Sequence, residues 1–221
     1  MSRSTAALCA AAALVVGFVL PPDKILEVVA ARRADTAPLR VELEVSRIDE
    51  SDPTRIWAEL HPDLGARFND ADGRRWLVRE GRVSGGAGTR SLSWVPELDL
   101  LVLRGEDALQ VWLQTQGVDA TSSHLTRCGD ADCFVLGGRD EPSQLWIDKD
   151  RFEVRRFRSG SGRLLELEGY EEWNGIRFPA RARVSDSLGP VAEIAVRSVE
   201  PAPELEQADF SPAWLLAETP E

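Results

Sequence analysis

Two cysteines, Cys128 and Cys133, are the residues whose spacing most directly indicates a covalent bond. They flank the four residues GDAD, a length that suits a tight connection between two strands. An oxidising compartment would let these thiols pair, and loop-closure entropy assigns a ring of this size about 2 kcal/mol of stabilisation. Zinc would need two further ligands, and a redox pair usually has two residues between its sulfurs. The predicted role is therefore a Cys128–Cys133 disulfide.

Residues suited to acid–base or nucleophilic catalysis are few. His61 and His124 are the only histidines, and neither lies in a nucleophile-elbow pattern. The acidic turns at Gly73 and Asp148 lack carboxylates at the positions that a calcium loop requires. Residues 84–89 (SGGAGT) lack the lysine of a nucleotide-binding loop. We predict no catalytic residue, no metal site and no cofactor, and hence a protein that is not an enzyme.

Composition bounds the remaining possibilities. The chain has 221 residues, of which 43% are hydrophobic and seven are tryptophan, so it can bury a core and is neither a disordered tail nor a polytopic membrane protein. Its formal net charge of −11 repels nucleic acid and anionic membranes. We therefore predict one globular domain without a nucleic-acid partner.

The first twenty residues have the proportions of a targeting segment. One positive charge at Arg3 precedes fifteen uncharged residues, AALCAAAALVVGFVL, which end before Pro21 and Pro22. This run is short for a membrane-spanning helix, which needs about 20 apolar residues. The sequence predicts an exported protein in which residues 1–20 form a signal peptide, or an N-terminal membrane anchor, and residues 21–221 form the domain.

Two hydrophobic periodicities divide the domain. Residues 22–34 and 106–113 have helical spacing, whereas Val41, Leu43 and Val45 alternate with charged residues as in a half-buried strand. The same period of two recurs at residues 55–60, 75–78, 145–147, 164–168 and 180–184, between turn sequences such as Asn174-Gly175. The pattern predicts an α+β domain with one large antiparallel sheet.

Tryptophans are spread along these elements, at positions 57, 76, 94, 112, 146 and 173. Large rings at such positions usually fill a core. The alternative is that some of them line a concave apolar cavity, in which a curved sheet wrapped round a helix leaves room for acyl chains. The sequence leaves both alternatives open.

Three segments resemble a known family. Residues 144–157 (QLWIDKDRFEVRRF), 173–179 (WNGIRFP) and 208–212 (ADFSP) are similar, in the same order, to strand and turn segments of the periplasmic lipoprotein carriers of the LolA/LolB type. The resemblance implies an incomplete, strongly curved antiparallel β-barrel with helices covering its open side. It also implies that residues 21–221 form a lipid-binding half-barrel.

The same resemblance implies a function. Relatives of this type bind acyl chains of lipoproteins or other lipids in the periplasm without catalysis, and the partners expected here are those chains and a membrane-bound donor or acceptor protein. The helices at residues 22–34 and 106–113 would then move as a lid. The predicted cavity lining comprises Val41, Leu43, Val45, Trp57, Phe68, Trp76, Trp94, Trp112 and Trp146.

Two alternatives belong to other classes of protein. The same half-barrel could serve as an envelope-stress sensor or assembly module that binds a protein or lipid partner. An envelope hydrolase is the third hypothesis, supported only by unpaired acids and by His61 and His124.

Overall fold

The computed structural model describes residues 19–80, 82–85 and 97–216. Its α-helices are α1 (Pro22–Arg32), α2 (Glu106–Thr115) and α3 (Pro212–Leu216), and 3₁₀ helices span Leu98–Leu101 and Gln207–Phe210. The strands are β1 (Leu39–Arg47), β2 (Thr54–His61), β3 (Gly65–Asp70), β4 (Arg75–Arg79), β5 (Arg82–Gly85), β6 (Ser123–Cys128), β7 (Ala131–Leu136), β8 (Gln144–Asp148), β9 (Val154–Arg158), β10 (Leu164–Trp173), β11 (Ile176–Asp186) and β12 (Gly189–Pro201).

All twelve strands form one antiparallel sheet in the order β5-β4-β3-β2-β1-β12-β11-β10-β9-β8-β7-β6. The first and last strands therefore pair in the middle, and β5 and β6 form the two edges of a sheet that does not close. Register shifts interrupt the ladders at Glu42/Leu43, at Trp146/Ile147 and at Val184/Ser185, and such bulges bend and twist a sheet. The predicted α+β fold with an incomplete, curved antiparallel barrel is confirmed.

The concave face of the sheet is covered by α1 and α2. Pro22 begins α1, where its missing N–H costs little, and the helix buries Ile25, Leu26 and Val29 against the strands. Helix α2 buries Leu109, Trp112 and Leu113 in the same apolar cluster. The two helices predicted at residues 22–34 and 106–113 are thus present and lie over the open side of the half-barrel.

Trp112 fixes α2 to the core by polar and aromatic contacts. Its indole Nε1 donates to Oδ2 of the buried Asp99 at 3.1 Å, and its ring meets Phe157 edge-on with 4.9 Å between centroids. A buried indole needs such a partner because an unpaired N–H is costly to desolvate. Trp112 therefore joins α2 to the 3₁₀ helix that contains Asp99. Helical periodicity predicts only that Trp112 is a core residue.

The C-terminal segment packs on the outer face of β3 and β4. Phe210 and Leu77 form a small apolar cluster there with Ala202 and Leu205. The Arg67 guanidinium lies 5.6 Å from the Phe210 ring centroid. The C-terminal segment thus covers part of the outer face, in an apolar cluster that is separate from the main core.

No helix within residues 19–80, 82–85 and 97–216 is long and apolar enough to cross a membrane. The signal peptide or anchor predicted at residues 1–20 falls almost entirely outside the described residues.

Candidate functional site

A half-open cleft of about 550 Å³ lies at one end of the concave face. It is bounded by the C-terminal end of α1, the loop from α1 to β1, the 3₁₀ helix Leu98–Leu101, the turn between β8 and β9, and the hairpin of β10 and β11. Its volume falls within the range of about 300–1,000 Å³ that is typical of small-molecule sites.

The floor and walls of the cleft are mainly apolar. Leu39, Val154 and Phe178 are buried and form the floor. Phe152 and Ile176 are half-buried, and they present apolar surface to the opening. Apolar side chains left partly uncovered beside a cavity are the surface that an apolar ligand can remove from water.

Asp148 orders the turn that carries Phe152. Its Oδ1 accepts the backbone N–H groups of Asp150 at 3.0 Å and Arg151 at 2.9 Å, and its Oδ2 accepts Nη2 of Arg155 at 2.8 Å. Burial alone would raise the pKa of Asp148, but these hydrogen bonds and the guanidinium outweigh it and hold the pKa below its ordinary value. The turn then places Phe152 at φ 54° and directs it into the cleft wall.

Arginines surround the opening of the cleft. Arg32 Nη1 donates to the carbonyl oxygen of Arg151 at 2.6 Å, and its guanidinium lies 5.3 Å from the centroid of the Phe152 ring. Arg177 Nε donates to Oε1 of Glu153 at 2.6 Å. The wall formed by α1 and the wall formed by the β8–β9 turn are therefore connected through Arg32.

Arg33 lies deeper than the other arginines. Its Nη1 donates to the carbonyl oxygens of Leu100 at 2.5 Å and Leu103 at 3.4 Å, which joins the end of α1 to the 3₁₀ helix. Burial lowers the pKa of Arg33 to about 10, so the group remains cationic at neutral pH. Arg33 is a desolvated positive charge held by backbone oxygens.

Tyr170 is a fixed part of the wall. Its hydroxyl donates to the carbonyl oxygen of Val154 at 2.6 Å, and the Arg155 guanidinium lies 5.7 Å from its ring centroid. Burial raises the pKa of Tyr170 well above its usual value, so the phenol stays neutral and positions the wall without exchanging a proton.

Six of the residues predicted to line a cavity lie in the main apolar core. The structure buries them in the main apolar cluster, and the cleft is lined by other side chains; they are Val41, Leu43, Val45, Phe68, Trp76 and Trp112. Val45 and Trp76 adjoin a void of only about 10 Å³, which has room for one water at most. Their apolar neighbours come from α1, α2 and the adjoining strands.

Two further predicted residues lie on the outer face of the sheet. Trp57 is half-buried and alternates with the inward-facing Ile56 and Ala58. Trp146 packs with the outer-face residues Cys133 and Val135. Strand periodicity alone does not say which face of a sheet is concave, so the sequence could not assign these two positions to a face.

The remaining predicted residue, Trp94, lies outside the described residues.

The cysteines form the predicted bond. A disulfide joins Cys128 at the end of β6 to Cys133 in β7, with 5.9 Å between the Cα atoms, and so closes the hairpin at the sheet edge.

The histidines lie apart from the cleft and from each other in the fold. His61 Nδ1 accepts the backbone N–H of Asp63 at 3.1 Å, and His124 lies in the edge strand β6. Burial lowers the pKa of both imidazoles. In the portions of the chain that the structure describes, no group of three or more His, Cys, Asp or Glu side chains could hold a metal ion.

Part of the cleft lining has a signal in the sequence that hydrophobic periodicity does not detect. Residues 151–154 and 176–179, which form two of the walls, fall within the segments QLWIDKDRFEVRRF and WNGIRFP that carry the family resemblance. Arg32 and Arg33 have no comparable signal, because the sequence pattern predicts only that they form the polar end of an amphipathic helix.

No protein-family model matches the chain, and no curated protein matches it significantly. Solved structures resemble it over nearly their whole lengths, among them two with TM-scores above 0.5. A LolA superfamily protein from Nitrosomonas europaea is 17% identical, with a TM-score of 0.54 over 88% of this chain and 99% of its own. A putative outer membrane lipoprotein-sorting protein domain from Vibrio parahaemolyticus is 13% identical, with a TM-score of 0.51 over 87% of this chain and 97% of its own. The open antiparallel sheet, its helical cover and these two likenesses together establish that the chain has a LolA-like fold.

Proposed function

We propose that this protein binds an acyl chain of a lipid or lipoprotein in the cleft and carries it through the periplasm without catalysis. The observation that carries the proposal is the half-open, mainly apolar cleft of about 550 Å³ at the end of the concave face. The LolA-like fold supports it, because one structure of this fold is described as a lipoprotein-sorting domain. The Cys128–Cys133 disulfide suits an oxidising compartment such as the periplasm.

The energetics of such binding are favourable. Each buried methylene contributes about 0.8 kcal/mol, so about ten of them would contribute on the order of 8 kcal/mol before the ordering costs of association. Neither proton transfer nor a nucleophile is needed for this gain. Binding by burial therefore accounts for the large apolar wall of the site.

The helical cover would have to respond to a long chain. Displacing α1 would expose Ile25, Leu26 and Val29, which are now buried, at a cost of about 2 kcal/mol for each side chain. That cost of about 6 kcal/mol is close to what about eight buried methylenes return. The lid movement of α1 and α2 is a proposal, and for α1 the cargo itself would offset the exposure of the core.

The test is to obstruct the cleft. Ala37 lies in its lining, so Ala37→Trp should fill the opening, whereas Val111→Trp places the same ring on an exposed position of α2 and serves as the matched control. Protein purified from an exporting host would be titrated with dodecyl maltoside and examined by native mass spectrometry. We expect adducts with the wild type and with Val111→Trp, and at least a tenfold loss, about 1.4 kcal/mol, with Ala37→Trp.

A clean apo mass and no uptake by the wild type would contradict the carrier proposal. If the protein then copurified with one stable protein partner, the sensor or assembly module would be the better interpretation.

A further inference from the structure

The lining of the cleft has an excess of positive charge, whereas the chain as a whole is negatively charged. The protein carries a formal net charge of −11, yet the cleft lining includes four arginines and only two acids, Asp35 and Glu153. Glu153 already pairs with Arg177. A positive excess at the opening of an apolar cleft is therefore built into an otherwise acidic molecule.

Three of these arginines lack an acidic partner in the part of the chain that the structure describes. Within the described residues, no carboxylate lies within ion-pairing distance, 4.0 Å, of Arg32, Arg33 or Arg151. The contacts of Arg32 are a backbone oxygen and the face of an aromatic ring, and those of Arg33 are two backbone oxygens. Outside the cleft, Arg74 and Arg197 are examples of arginines that pair with an acid.

Their positions differ in depth. Arg32 and Arg151 are exposed at the opening, and Arg33 is half-buried behind them. A guanidinium held in such a place without an acid loses hydration and gains no ion pair, a cost that an anionic ligand would offset. Its planar fork also fits a carboxylate or phosphate group with two parallel hydrogen bonds.

We infer, on the basis of the proposed function, that the amphiphile bound here carries an anionic headgroup, a phosphate or a carboxylate, which binds between Arg32, Arg33 and Arg151. Its acyl chain lies against Phe152 and Ile176. The headgroup thus stays at the opening beside water, and the cationic side chains select among amphiphiles that share the same chain.

Ligands that differ only in the headgroup test this inference. Isothermal titration below the critical micelle concentration would compare dodecyl phosphate, dodecanoate, dodecyl maltoside and dodecyltrimethylammonium, and inorganic phosphate would be titrated alone. We expect both anionic amphiphiles to bind about tenfold more tightly than the maltoside, which corresponds to one charge-assisted hydrogen bond. The cationic amphiphile should bind most weakly, and inorganic phosphate should bind far more weakly than dodecyl phosphate.

The variant for this test is Arg32→Gln/Arg151→Gln, which removes two exposed charges without breaking an ion pair. Arg33 is left unchanged because it holds the carbonyl oxygens of Leu100 and Leu103. Arg139→Gln removes an exposed arginine elsewhere and is the matched control. The double variant should reduce the preference for the anionic amphiphiles over the maltoside to within about threefold, whereas Arg139→Gln should keep the preference of the wild type.

Each result decides between the two claims. Equal affinities for phosphate, maltoside and ammonium amphiphiles would overturn the headgroup inference and leave the carrier proposal intact. Inorganic phosphate binding as tightly as dodecyl phosphate would also overturn it, because the site would then need no acyl chain. Absence of binding by every dodecyl compound would contradict the carrier proposal itself.

Discussion

The two ends of β1 show how the same inward face can be core or binding site. At one end, Val45 adjoins a void of about 10 Å³, and at the other, Leu39 lies in the floor of a cleft of about 550 Å³. Both side chains are apolar, buried and on the concave face. What differs is whether another side chain occupies the space opposite.

The helical cover explains that difference. Helix α1 has 11 residues, about 16 Å of helix, and β1 has 9 residues, about 30 Å of strand. The helix ends at Arg32, and the chain continues as a loop toward Pro38, which disfavours helical geometry in the residue before it. The floor beyond that point is left open. The position at which a helix ends therefore determines where the half-barrel can accept a ligand.

Two isoleucines offer the most direct test of this contrast. Ile56 is buried beside Val45 and Trp76, at what we call the closed end of the concave face. Ile176 is half-buried in the cleft. We expect Ile56→Ala to lower the free energy of unfolding by about 3 kcal/mol, because the cavity it leaves is enclosed, and Ile176→Ala by about 1 kcal/mol, because water already reaches that site. Denaturant unfolding at neutral pH measures both.

If the two variants lost the same free energy of unfolding, the cleft would be packed as tightly as the closed end. That result would contradict the proposed difference between the two ends. Amphiphile binding provides the second readout: only Ile176→Ala should weaken it.

The sequence predicts the sheet but not the cleft. Alternation in β1 identifies the inward face, and the spacing of Cys128 and Cys133 identifies a bond that the structure contains. Alternation fails in β7, where Phe134 faces the concave core and Val135 an apolar cluster on the outer face, so both faces appear apolar. A cleft is a missing contact between distant segments, so hydrophobic periodicity within one segment does not locate it.

The disulfide tests whether the two ends are energetically independent. It closes the β6–β7 hairpin, which neighbours β8 in the half of the sheet that carries the cleft. Cys128→Ser/Cys133→Ala should lower the free energy of unfolding by about 2 kcal/mol. Combined with Ile56→Ala, the losses should add to within about 0.5 kcal/mol, since no partner is shared.

Reduction of the wild-type protein is the control, and it should reproduce the loss without a substitution in the buried Cys133. A combined loss that departs clearly from the sum would show that the edge hairpin and the closed end unfold as one packed unit.

Two buried carboxylates, Asp70 and Asp148, order turns at opposite ends of the concave face. Asp70 Oδ1 accepts the backbone N–H of Asp72 at 3.0 Å and of Arg74 at 2.8 Å, as Asp148 does in the turn beside the cleft. Asp70→Asn and Asp148→Asn should each cost about 1.5 kcal/mol of stability at neutral pH. Only Asp148→Asn should weaken the binding of dodecyl phosphate, because its turn carries Arg151 and Phe152.

Lowering the pH should weaken the contacts that Asp148 makes in this turn. The hydrogen bonds and guanidinium that overcome burial keep the pKa of folded Asp148 below its unfolded value, so its contribution to stability is complete above the unfolded pKa and is lost as the pH falls through the folded pKa. Denaturant unfolding between pH 7 and pH 2 should therefore show a shallower acid loss in Asp148→Asn than in the wild type. An unchanged acid slope would mean that the charge on Asp148 does not hold the turn, and the ordering of the cleft wall would then rest on its backbone hydrogen bonds alone.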